Sequence, residues 1–440
     1  MTLKSQYLQL KDYLSTSFWF LPLMIIFAMI LMATVNVWVD TRFEEELADV
    51  AGFLFSGGPE SARSILSTIA GGMLGVAGTV FSITLVVLTL ATNSLGPRLL
   101  RHFMHDRLNQ VVLGAYVATF VYGLLVLGTI QSDPGEEFVP RISILFGMAI
   151  SVANIFLLIL FIHHISVSIQ ADQVVSDVAN NLDETVRKLY PESLGHEPDS
   201  EDYSVDLSMY KTEYPETYDV PCTRSGYVQS VDVERLIPWC VKQDVWVELH
   251  LRPGDYAIRD LPIGRVYARQ AMEKDTVRQL EQFLYYGDKR TPLQDAEFAV
   301  HQVVEVAARA LSPGVNDPYT AITCIDKLTS VLAYLARAEF PVAERLDAEG
   351  QFRVWARTLD FTGMLDAAFN QIRQFGASSP AVIIRLMDRL VILYRIAPKG
   401  SARKAILRHA RMVHRAGEEH LVEPNDRRDL QQRYLQFQDY

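Results

Sequence analysis

The apolar positions of this chain gather before about residue 165, in four runs long enough to cross a bilayer as helices. A hydrocarbon core of about 30 Å needs roughly 20 apolar residues in helical form. The qualifying runs are Phe18–Val39, Ser64–Asn93, Val111–Ile130 and Ile142–Ile165. None has a charged side chain in its middle, which predicts spans without an internal proton relay or voltage sensor. Trp19 and Trp38 flank the first run at depths where indoles prefer the interface. That run is too long for the apolar core of a cleavable signal. Val37-Trp38-Val39 is also too bulky for a cleavage site, so an anchor is expected. Ahead of it, Tyr7, Leu8, Leu10 and Leu14 suit either a short helix on the membrane surface or an extension of the first span.

Past the fourth run the pattern changes. Ile169, Val174, Val175, Val178, Leu182, Val186 and Leu189 recur at helical spacing, which predicts one long helix leaving the membrane and ending before Pro191. An acidic, irregular linker follows over Gly195–Glu216. Thr223–Val266 then mixes a short helix at Val233–Val241 with an alternating strand at Val245–Leu251, a turn at Arg252–Asp255 and a restart at Tyr256–Ile258. This order resembles the small β-barrel called a barrel-sandwich hybrid. Lys242 lacks the neighbours of a modified carrier lysine, so the barrel reads as a structural or docking module. From Asp275 onward the chain reads as helical, with breaks that include Ser312-Pro313-Gly314, Gly350 and Ser378-Ser379-Pro380. Ser379 before Pro380, and Asp317 before Pro318, have the form of a side-chain cap followed by proline at the first helical position. The expected fold is thus a membrane α-helical domain of four transmembrane helices plus a cytoplasmic α+β domain. The parts are 1–165 in the membrane, 166–217 as helical extension and linker, 218–268 as a barrel and 269–440 as a helical region.

Within the second run, Thr68, Gly72, Gly75, Thr79, Ser82, Val86, Thr89 and Asn93 recur at alternating steps of three and four. That spacing sets a stripe of small and polar residues on one helix face, with bulky Leu and Val elsewhere. Lipid does not favour such a face, so it is expected to meet protein or water. Close helix packing through small residues is one use, and a pore lining is the other.

Charge fixes the direction of the runs. Lys4 and Lys11 precede the first; Arg98, Arg101 and Arg107 lie between the second and third. Asp40, Glu44, Glu45, Glu46, Asp49 and Glu60, against Arg42 and Arg63, follow the first, and Asp133, Glu136 and Glu137 follow the third. Because Lys and Arg favour the cytoplasmic side, both termini are expected in the cytoplasm and both acidic loops outside. The formal net charge of −11 argues against nucleic acid as a partner. Cys222, Cys240 and Cys324 form no CxxC pair and read as small buried hydrophobes. His163 and His164 point in different directions on a helix and do not make a joint metal site. The basic face of Arg403, Lys404, Arg408, Arg411 and Arg415 suits solvent, anionic lipid or an acidic neighbour.

No phosphate loop, dinucleotide fingerprint, zinc-protease, nucleophile-elbow or calcium-loop motif occurs. The most distinctive soluble stretch runs from Glu305 to Ala321. His301, Glu305 and Arg309 share one helix face at steps of four, and Asn316 and Asp317 come near its end after the Pro-Gly turn. Such a cluster can bind a small anion or nucleotide, or simply lock the corner. This stretch, Leu311 to Ala321, and the second run with its exit, Gly71 to Gly75 through Ser94 to Arg98, resemble bacterial predicted membrane proteins of the domain-of-unknown-function family 2254. The resemblance covers nearly the whole chain and implies a shared architecture; it brings no catalytic residues. Three functions compete. One is a homo-oligomeric inner-membrane channel, cation-preferring at its acidic mouth, with a cytoplasmic regulatory domain. Another is a membrane-anchored sensor or scaffold that binds a ligand or partner. The third, a membrane enzyme, is the weakest, because no nucleophile–base pair or metal set stands out. No cofactor is expected. The expected partners are the lipid bilayer, further copies of the chain and a small ligand or ion.

Overall fold

The computed structural model describes residues 18–43, 57–95, 106–132, 137–168, 171–190 and 207–438. The segment before the first span, most of the first acidic loop, the loop carrying Arg98 and Arg101, and most of the acidic linker lie outside the described residues. The chain forms two compact units, Met1–Gln173 and Val174–Tyr440.

Four helices of the first unit are long and apolar enough to cross a membrane. They are α1 (Phe20–Arg42), α2 (Pro59–Leu95), α3 (Arg107–Leu127) and α4 (Arg141–Ser168). Helix α3 is the hub, packing against the other three. Small residues make that possible. A Cβ on Gly114 would stand 2.9 Å from the Pro22 Cα, and one on Gly123 would stand 3.2 Å from the Ala70 Cβ. Several polar side chains inside the bundle find backbone or side-chain partners, as burial in a membrane favours. The Tyr116 hydroxyl donates to the Asn154 carbonyl (2.6 Å), and the Asn154 amide donates to the Thr119 hydroxyl (2.9 Å). The Tyr122 hydroxyl donates to the Ser143 carbonyl (2.8 Å) and accepts from Asn36 (3.1 Å).

The second unit begins with α5 (Ala171–Leu189), most of which belongs to it, then α6 (Leu207–Glu213). Val175, Val178, Leu182 and Val186 are buried along α5, on the periodicity read from the sequence. Strands β1 (Glu216–Pro221) and β2 (Gly226–Val231) follow, then α7 (Val233–Gln243), whose first turn Asp232 caps. Next come β3 (Val245–Leu249), β4 (Tyr256–Ala257), β5 (Pro262–Ala268), α8 (Lys274–Arg278) and β6 (Leu284–Gly287). The rest is α9 (Ala296–Ala310), α10 (Pro318–Leu335), β7 (Glu344–Leu346), β8 (Phe352–Ala356), α11 (Phe361–Phe375), α12 (Pro380–Ile396), α13 (Ser401–His420) and α14 (Pro424–Leu435).

The strands do not close into a barrel. They form a five-stranded sheet in the order β1-β5-β3-β8-β7 and a three-stranded sheet in the order β4-β2-β6. The strands expected to neighbour one another in a barrel are divided between the two. The cause lies about a hundred residues on. Strand β8 pairs parallel to β3, with Val354 opposite Val247, and makes β3 the central strand of an open sheet. Both faces of β3 are covered. Val245, Val247 and Leu249 enter the main core, while Trp246 stacks on Tyr267 at 3.8 Å between ring centroids on the other face. The stretch after Asp275 is therefore not wholly helical, since it supplies β6, β7 and β8. Ser379 also departs from expectation. Pro380 does open α12, but the Ser379 side chain makes no capping hydrogen bond.

Candidate functional site

Helix α2 carries the first candidate. Its buried face is Ala62, Leu66, Ala70, Ala77, Val80 and Val87. Each of Thr68, Gly72, Thr79, Ser82 and Thr89 lies two positions after a buried or partly buried residue of that row, about 200° around the helix. The stripe accordingly faces away from the rest of the unit: Thr68, Gly72, Gly75, Thr79, Ser82, Val86 and Thr89 are all exposed. A Cβ added at Gly71, Gly72, Gly75 or Gly78 would meet nothing within 4 Å. Packing inside one copy of the unit therefore does not account for these small residues. The hydroxyls of Thr68, Thr79, Ser82 and Thr89 each donate to the carbonyl four residues back. Asn93 lies in α2, but its side chain is outside the described residues.

The second candidate, the corner between α9 and α10, is a locked turn. Asp317 Oδ1 accepts from the backbone N–H groups of Tyr319 and Thr320, both at 3.1 Å, and Oδ2 accepts from the Thr320 hydroxyl at 2.6 Å. The Thr320 hydroxyl holds the Asp317 carboxyl below the usual carboxylate range, with burial opposing it and the two N–H groups adding to it. His301, Glu305 and Arg309 do share a half-buried face of α9, where Glu305 and Arg309 pair at 3.7 Å. Asn316 is exposed, with a left-handed backbone at φ 49°. The contacts of Asp317 are those of a helix cap, and Glu305 and Arg309 pair along α9. Replacing Asp317 by alanine is expected to cost about 1 kcal/mol, the value of a helix N-cap. A folded-state pKa below the unfolded one places this contribution above the unfolded pKa. It is lost as pH falls through the folded pKa, so wild type and variant should converge in acid. Thermal melts of the full chain across pH 3–7 check both statements.

The third candidate was not visible in the sequence. A cleft of about 610 Å³ opens in the second unit where six segments meet. These are the end of α5 (Leu189, Tyr190), the β2–α7 junction, the end of β3 with Leu251 and Arg252, Tyr285 of β6, the start of α9, and the stretch from Pro341 to Leu359. Tyr190 is fixed in the wall. Its ring lies 4.8 Å from that of Phe340, and its carbonyl accepts from the Tyr334 hydroxyl at 2.7 Å. Burial pushes its phenol up to about 12, so this part of the wall is neutral at physiological pH.

Three arginines and three carboxylates line the cleft, so pairing, not net charge, distinguishes them. Asp295 holds Arg290 through two bonds of 2.7 and 2.9 Å, and Arg252 reaches Glu297 at 2.8 Å. Asp232 caps α7, Glu234 is exposed, and the exposed Arg357 lies 3.9 Å from Asp255. Arg345 differs from the other arginines. It is half-buried and forms no ion pair among the described residues; its Nη1 donates only to the backbone carbonyls of Val342 and Glu344. Burial holds its guanidinium below the usual arginine range, against the opposite pull of Glu344.

Among the described residues no group of three or more His, Cys, Asp or Glu is placed to hold a metal ion. His164 pairs with Asp106 at 2.5 Å, and the three cysteines are buried and form no disulfide.

The sequence has counterparts. The family described as "Predicted membrane protein (DUF2254)" matches residues 15–391, and this chain belongs to it. "Uncharacterized protein MT1328" of Mycobacterium tuberculosis (strain CDC 1551 / Oshkosh) is 32% identical over 381 residues, covering 85% of this chain and 71% of the relative. "Uncharacterized protein Mb1321c" of Mycobacterium bovis (strain ATCC BAA-935 / AF2122/97) matches to the same extent. No solved structure matches the chain. The chain is a multi-pass membrane protein by its family and its four candidate spans.

Proposed function

We propose that the chain is a homo-oligomeric channel of the bacterial inner membrane, with α2 from each copy lining a shared pathway and the second unit regulating it. The observation that carries this reading is the outward stripe of α2, whose glycines have open space where a neighbour belongs. Faces of Gly, Ser and Thr let helices approach closely in a membrane, where lipid offers them little. With their hydroxyls bonded to their own helix, the stripe residues tolerate either a dry contact or water. Selectivity would then come from hydroxyls, backbone dipoles and pore width, with the acidic loops favouring cations at the mouth. The distribution of Lys and Arg among the loops supports cytoplasmic termini. No catalytic role is assigned to any residue.

A second reading, a membrane-anchored sensor without transport, draws support from the cleft of the second unit. Flux separates the two. Purified protein in liposomes is expected to pass potassium faster than protein-free vesicles. Cysteines placed at Thr79, Ser82 and Thr89 should react with small water-soluble thiol reagents and reduce that flux. The native cysteines are buried, so the reagent reports the introduced ones. Absent flux together with three inert cysteines would remove the channel reading and leave the sensor.

A further inference from the structure

We propose that the cleft of the second unit binds a small organic anion with an apolar body, taken up through Arg345 and Arg357. The argument is independent of the α2 pathway and holds for a channel or a sensor. A half-buried guanidinium without a carboxylate partner is costly, and an arriving anion supplies the missing partner. Guanidinium groups hold carboxylate and phosphate through paired N–H···O bonds, which makes those the fitting headgroups. The remaining charged residues of the wall do not compete strongly. Asp295, Asp232 and Arg252 are engaged within the protein, and the exposed Glu234 is offset by the equally exposed Arg357, which leaves Arg345 as the anchoring charge.

The body of the ligand follows from the other side chains. Leu189, Leu249, Leu251, Ala356 and Leu359 give the cleft an apolar wall, and Leu293, which is exposed, marks its rim. The volume of about 610 Å³ lies within the range of ordinary small-molecule sites. An inorganic ion alone would leave most of that wall against water. The site also touches the end of α5, whose first residue is separated from the last residue of α4 by only two positions in the chain. Ligand contact with Leu189 and Tyr190 therefore acts on the segment that leads in sequence to the fourth span.

The test uses phenyl phosphate, which joins a dianion to an aromatic body, and titrates it calorimetrically into the full chain in detergent. Saturable binding is expected, tighter than that of inorganic phosphate or phenol. Arg345→Gln should weaken it at least ten-fold and Arg345→Lys less, while Arg403→Gln, on α13 outside the cleft, should leave it unchanged. Melting temperatures of the variants establish that each is folded. If Arg345→Gln does not fold, Arg357→Gln takes its place with the same expectation. The proposal is overturned if the wild type shows no saturable binding, or if binding survives loss of the arginine charge. Either result is read without any flux measurement, so it leaves the channel question to its own experiment.

Discussion

Replacing Asp295 by alanine should destabilise the second unit by about 3–5 kcal/mol, the cost typical of removing one partner from a buried ion pair. Asp295 is 3% exposed. Its carboxylate accepts from Arg290 Nε and Nη2, and Oδ1 also accepts from the Phe298 N–H, which caps α9. The substitution leaves Arg290 with the longer contact to Glu297 at 3.3 Å as its one ion pair among the described residues, and leaves the first turn of α9 uncapped. Gly254 depends on the same carboxylate. Its φ is +98°, and a Cβ there would stand 2.4 Å from Asp295 Oδ2, so the β3–β4 turn is shaped around this group. A loss of this size lowers the unfolding midpoint by on the order of 10 °C in a unit of this length. Asp295→Asn retains an acceptor for the cap and loses the charged pair, so its midpoint should fall between the other two. Circular dichroism melts of the full chain in detergent measure all three. A midpoint for Asp295→Ala within about 1 °C of the wild type would exclude the pair as a structural element.

The sequence carried the membrane half of this fold because hydropathy over about twenty residues is a strong signal. The expected runs fall within a few residues of α1 to α4. Periodicity also placed the α2 stripe on one face. It could not say whether that face turns inward or outward, since that depends on which side α3 occupies. The buried row Ala62, Leu66, Ala70, Ala77, Val80 and Val87 settles it for one copy of the unit. The Ser312–Asp317 corner was legible as a helix start, and Asp317 is used as its cap. The soluble fold was less legible, because the pairing that defines it is not local. Phe352-Arg-Val-Trp-Ala356 has strand-forming residues but no clean alternation, and its partner β3 lies far back in the chain. The cleft was invisible for the same reason. Its six segments share no motif, and Arg345 becomes distinctive only once its surroundings show no carboxylate pairing among the described residues.

Replacing Asp40 by alanine should be among the most damaging changes in the membrane unit, at about 3 kcal/mol for the loss of several charge-assisted hydrogen bonds and a cap. The sequence offered this residue only as one acid among several in the first outer loop. In the fold it is 4% exposed, in the last turn of α1, and its carboxylate closes the start of α4. Oδ1 accepts from the Ile142 N–H at 2.9 Å; Oδ2 accepts from the Ser143 N–H at 2.9 Å and the Ser143 hydroxyl at 2.6 Å. The first N–H groups of a helix have no partner within it, and the helix dipole adds to their attraction for an anion. With Asp40 and Ser143 both buried, water has little access to replace the carboxylate. Ser143 also accepts the Tyr122 hydroxyl at its carbonyl, and Asn36 donates to that hydroxyl, so the network ties α1, α3 and α4 at one end of the bundle. Asp40→Asn keeps part of the network and should lose less than Asp40→Ala. Ser143→Ala removes one donor to Asp40 and should lose less again. Thermal unfolding in detergent, followed by monodispersity on size exclusion, ranks the three variants. If Asp40→Ala and Ser143→Ala melt together, the carboxylate adds nothing beyond one hydroxyl contact, and another interaction must hold the start of α4.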